Sequence, residues 1–121
     1  MANDLFDFIN EAPKPFASIE QIQALIRRRR AQMLIHSCIY YEMNENVISD
    51  HLWQHWADEL DRIQKDWPEL CQIDFFDNEF RDWSGATGNH LPHRHPWVYN
   101  KALYILRISQ EKRHDTCVWS C

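Results

Sequence analysis

The sequence predicts a mainly α fold: an antiparallel helical hairpin plus a third helix, with an irregular glycine-containing loop and little β structure. Three observations carry this. Apolar residues recur at three- and four-residue steps along two long stretches, the mark of amphipathic helices. A short polar turn, Asn44 to Ser49, separates those stretches, and helices joined so closely usually pack antiparallel. Both glycines of the chain, Gly85 and Gly88, fall in one irregular segment, residues 71 to 95, after which Pro96 opens a further apolar run.

Each element has its own signals. Residues 1–17 read as a flexible N-terminal arm, because Pro13 and Pro15 rule out a helix interior there. Residues 18–121 read as a single helical domain. Ser18 is an N-cap candidate, and Gln21 three residues on completes a capping box. The first helix then runs to about Met43, with Ile22, Ile26, Met33, His36 and Tyr40 on one face. Leu34, Cys38 and Tyr41 add a second strip, so its later half is expected to be the more buried. Arg29 interrupts the first face; its stem can cover apolar surface while its head reaches an anion or solvent. Ser49 or Asp50 caps the second helix, whose Trp53, Trp56, Leu60, Ile63 and Trp67 follow at helical steps until Pro68 stops it. The third helix runs from Pro96 to about Gln110 and packs against the pair. Any β structure should be short, near 72 to 80 or 116 to 120.

At 121 residues the chain suffices for one domain and needs no disulfide staple. A net charge of −5 is opposite to that of a general nucleic-acid binder. Four basic residues nevertheless sit together at Arg27 to Arg30, a local basic site or a solvated face. No apolar run approaches the roughly 20 residues of a membrane span. Asp4 and Asp7, with no basic start, argue against a secretory leader, so a cytoplasmic location with reduced thiols is expected.

Chemistry-bearing residues gather at the hairpin bend, where Tyr40, Tyr41 and Asp50 suit a nucleotide-like ring and its ribose. Elsewhere the signals are weaker. His90, His93 and His95 share one loop, and His114, Cys117 and Cys121 share the tail, but neither group has paired zinc-ligand spacing. No G-x-S-x-G elbow occurs, and Gly85-Ala86-Thr87-Gly88 lacks the G-K-[ST] of a phosphate loop. Asp74, Asp77, Glu79 and Asp82 bracket Phe75, Phe76, Phe80 and Trp83. That mixture either grips a basic surface or is a loop whose aromatics pin it to the core.

The stretch from about Leu25 to Leu70 resembles subdomain Ia of bacterial NAD-dependent DNA ligases. The resemblance rests on Tyr40-Tyr41, Ile48-Ser49-Asp50, Trp53, Glu59-Leu60 and Pro68-Glu69-Leu70. It implies a pocket for the nicotinamide mononucleotide (NMN) half of NAD, built by Tyr40, Tyr41, Asp50, Trp53 and Gln54. Where the family has a Tyr-Asp pair, this chain has Trp53-Gln54, which keeps a stacking surface and loses a carboxylate. The K-x-D-G adenylation motif of those ligases is absent, so the chain is not expected to ligate. The layout through Trp83-Ser84-Gly85-Ala86-Thr87-Gly88 and Pro96-Trp97 is similar to short ligase-related proteins of phage and prophage genomes.

Two functions follow as expectations. The favoured one is a non-catalytic, phage-encoded interaction module that modulates or inhibits a nucleic-acid-processing enzyme of the host, as a counter-defence protein would. Its partner-binding candidates are Arg27, Arg30, Asp74, Phe76, Asp77, Phe80, Asp82 and Trp83. The alternative is an NMN- or NAD-binding module.

Overall fold

The computed structural model describes residues 18–120, with side chains as far as Lys112. The predicted arm, 1–17, lies outside the described residues. The described chain is mainly helical and contains no strand. Three α-helices occur in it: α1 (Ile19–Glu42), α2 (Asp50–Asp66) and α3 (Pro96–Ser120). A single 3-10 turn, Pro68–Leu70, follows α2. The stretch 116 to 120, a site of expected short β structure, continues α3 instead.

The helix boundaries follow the sequence signals. Ser18 Oγ accepts the Gln21 N–H at 3.0 Å, and the Gln21 side chain accepts the Ser18 N–H at 2.9 Å. Such a reciprocal box satisfies two of the donors that a helix start leaves open. Asn44, just past the end of α1, adopts φ of 56°, a left-handed conformation that Asn tolerates better than most residues. Glu45 N–H then donates back to the Ile39 carbonyl at 3.1 Å. Ser49, not Asp50, caps α2: its hydroxyl accepts the Leu52 N–H at 3.0 Å. Asp50 occupies the first turn, where its charge complements the helix dipole.

Cross-contacts give the direction of packing. Arg30 near the middle of α1 meets Gln64 near the end of α2, and His36, further along α1, meets Trp56, nearer the start of α2. The hairpin is therefore antiparallel. Helix α1 is central: among the described residues it packs on both α2 and α3, whose backbones do not approach each other closely. The third helix thus leans on one member of the hairpin and not on the pair, because residues 71–95 supply the remaining packing. Phe75, Phe80, Trp83 and Leu91 from that segment join Ile26, Met33, Leu34, Leu60 and Ile63 in the core. Burying a side chain such as Phe80 contributes roughly 1.5–3 kcal/mol.

Two buried ion pairs fix these elements, and they consume the predicted basic cluster. The Arg29 Nε donates to Glu59 Oε1 at 2.6 Å, joining α1 to α2. Arg30 is only 1% exposed, and its guanidinium meets four acceptors. It donates to Gln64 Oε1 (2.9 Å), the Phe75 carbonyl (2.8 Å), the Cys71 carbonyl (2.9 Å) and Asp77 Oδ1 (2.6 Å). Asp77 also accepts N–H groups from Ile73 and Asp74. These bonds hold a turn in which Asp74 and Phe76 have φ of 59° and 54°. Burial pushes the Asp77 carboxyl up, but Arg30 and three backbone N–H groups outweigh it, leaving the acid below its ordinary range. Neither a basic docking site nor a wholly solvated face survives: Arg29 and Arg30 are internal, and only Arg27 and Arg28 are exposed. Arg27 lies over the Phe75 ring, 3.9 Å from its centroid.

Candidate functional site

The hairpin bend and the glycine loop face each other across a cleft of about 260 Å³. Tyr40, Tyr41, Asp50, Trp53 and Gln54 all line it. Residues ten apart in sequence meet here because α1 ends, the chain reverses over seven residues, and α2 begins beside that end. The opposite wall is Ala86, Thr87 and Gly88.

Each wall residue is held differently. Tyr40 and Tyr41 are 52% and 45% exposed, so their rings offer free faces. They meet edge to face at 4.9 Å. Tyr41 stacks on His93 at 5.3 Å with a 12° interplanar angle, and its hydroxyl lies 3.1 Å from Thr87 Oγ1. His93 is buried; its Nε2 sits 2.8 Å from the Gly88 carbonyl and its Nδ1 3.6 Å from Glu42 Oε2. Tyr41 is thereby braced from behind and from the loop. Trp53 is half-buried and leans on Trp83, whose indole N–H donates to the Ala57 carbonyl at 3.0 Å.

Gln54 has a role that the resemblance does not convey. Its Nε2 donates to the Gly85 carbonyl and to Asp58 Oδ1, each at 2.9 Å. The amide clamps the glycine loop to α2. An aspartate here has no donor, and its carboxylate would confront a carbonyl oxygen and a second carboxylate. Gly85 has φ of +82°, a conformation that favours glycine, and a Cβ there would also sit tightly, 3.2 Å from the Ala57 carbonyl oxygen. At Gly88 space alone decides: an added Cβ would run into Ser37 Oγ and lie 3.0 Å from Ser37 Cβ.

The cleft includes residues that sequence reasoning did not assign to it. His36 and Ser37 line its floor, one turn before the tyrosines. The His36 Nδ1 and Ser37 Oγ are buried with no hydrogen-bond partner among the described residues. Buried polar atoms are normally paired, so unpaired ones mark a place for a ligand or water. Burial pushes the His36 imidazole down to about 4, leaving it neutral at physiological pH. The available signal was the helical spacing of Ser37 to Tyr40 and Tyr41, which puts them on neighbouring faces.

The partner-binding candidates divide. Arg30, Phe80 and Trp83 are buried, at 1%, 0% and 5% exposure, and serve the core; they present nothing to a partner. Asp77 is committed to Arg30. Arg27, Asp74 and Asp82 are exposed and Phe76 is half-buried. The aromatic-acidic segment is thus chiefly a loop pinned by its aromatics. Among the described residues no three His, Cys, Asp or Glu side chains group to hold a metal. In the histidine loop, His93 is engaged as above and His95 Nδ1 accepts the Trp97 N–H at 3.1 Å. The side chains of His114, Cys117 and Cys121 lie outside the described residues. No helix among the described residues is long and apolar enough to cross a membrane.

No family model, curated protein or solved structure matches the chain.

Proposed function

We propose that the chain is a small-molecule binding module whose cleft takes a nicotinamide nucleoside or nucleotide, of the class that includes NMN and NAD. One observation carries this reading. The five side chains that resemblance to ligase subdomain Ia singles out line a single cleft, together with unpartnered polar atoms at its floor. The exposed Tyr40 and Tyr41 rings supply stacking faces, and Asp50 can accept a ribose or amide hydrogen bond. Isothermal titration of NMN and NAD into the full chain tests it. Saturable heat, lost in Tyr40→Ala, is expected; flat titrations at millimolar ligand would refute it.

A second reading is the one the sequence favours, a phage-encoded module that modulates or inhibits a nucleic-acid-processing enzyme of the host. Burial of Arg30, Phe80 and Trp83 removes part of its support. What favours it now is α3, where Tyr99, Leu103 and Tyr104 are 38%, 46% and 51% exposed. Solvent-facing aromatic and aliphatic side chains on one helix are common at protein interfaces. Pull-down with wild type and Leu103→Asp would test it: one stoichiometric enzyme, retained by wild type alone, is the supporting result.

A further inference from the structure

The charge of the cleft carries the ligand assignment further, and this inference rests on the binding reading above. Among the described residues, Glu45 and Asp50 are its only charged lining residues, and no lysine or arginine lines it. Beside them stand the aromatic rings of Tyr40, Tyr41 and Trp53. The nearest candidate for anion binding is the N-terminus of α2. Its positive end is already compensated: Ser49 Oγ takes the Leu52 N–H, and Asp50 places a carboxylate in the first turn. Among the described residues a phosphate would therefore meet two carboxylates and no compensating cation. A cationic ring would meet carboxylates and π faces, both of which attract it. The acidic pair is not the sole mark of a ligand here, because Ser37, 1% exposed, lines the same cleft with an unpartnered hydroxyl.

The geometry points to a cleft that selects a cationic, planar nitrogen heterocycle, a pyridinium nucleoside without its phosphate, in preference to the phosphorylated nucleotide. Aromatic faces supply dispersion and cation–π attraction, Asp50 and Glu45 neutralise the ring charge, and the phosphate is an electrostatic burden.

Calorimetric titration of the full chain with three probes tests this: nicotinamide riboside, its reduced and uncharged dihydro form, and NMN. The oxidised riboside should bind about ten-fold more tightly than either of the others. Asp50→Asn should narrow the gap between the two ribosides several-fold while far-UV circular dichroism stays unchanged; Glu45→Gln provides the same readout should Asp50→Asn not fold. Equal affinity for oxidised and reduced riboside would overturn the inference, as would NMN binding as tightly as the riboside. In either case the binding reading would stand. Absence of heat with all three probes would remove both.

Discussion

Replacing Arg30 with methionine tests how residues 71–77 are held against the helical hairpin. The guanidinium is buried, and its four hydrogen bonds join α1 to α2 and to residues 71–77. Methionine fills similar space with no donor. The Phe75 and Cys71 carbonyls would lose their Arg30 donor, at about 1–3 kcal/mol for each buried acceptor left unpaired. Asp77 would keep its backbone N–H partners and lose its counter-ion. Breaking one side of a buried pair typically costs about 3–5 kcal/mol, and the two estimates agree. For a domain of this size that is a fall in Tm of roughly 15–30 °C. Thermal and guanidinium unfolding followed by circular dichroism would measure it. A double-mutant cycle with Asp77→Asn should show coupling of about 1–3 kcal/mol. The Asp77 part also has a pH signature. Its folded-state pKa is depressed, so its contribution is present above the ordinary Asp range and is lost as pH falls through the folded value. A Tm loss under about 5 °C, or strict additivity with Asp77→Asn, would refute the view that Arg30 organises this loop.

Gly88→Ala should destabilise the fold by about 1–3 kcal/mol, because Ser37 is buried and cannot yield; adding Ser37→Gly should restore most of it in chemical denaturation. Gln54→Asp should cost about 0.5–1.5 kcal/mol, since the part-buried Gly85 carbonyl loses its donor; Gln54→Glu, which also lacks a donor, should not rescue it. His36 is held at about 4 against an ordinary 6.5, so its neutral form stabilises fully above pH 6.5 and that stability falls as pH drops toward 4. The loss across that window is about 3 kcal/mol, and unfolding titrations at several pH values should show His36→Gln flattening it. Cys38 is buried, and desolvation followed by the Glu42 charge pushes its thiol up to about 11, so peptide mapping after alkylation should find it unmodified until denaturant is added.

Sequence alone determined the local structure. Ser18, Ser49, Asn44 and Pro68 mark helix ends through bonds and backbone preferences that act within a few residues, and all four behave as their chemistry dictates. The bend residues were legible for the same reason: a short turn between two long helices leaves Tyr40, Tyr41 and Asp50 few places to go. Contacts across 30 to 50 residues decided the rest. Nothing local to Arg27–Arg30 tells which guanidinium will find Glu59 or the Phe75 and Cys71 carbonyls, because those acceptors exist only once residues 71–77 have folded against α1. The same long-range closure turned Phe80 and Trp83 inward. It also made Gln54 a clamp on Gly85 and left Ser37 and His36 unpartnered beneath the tyrosines. Short-range hydrogen bonds and sterics are written in the order of residues; burial and partner choice are properties of the packed whole.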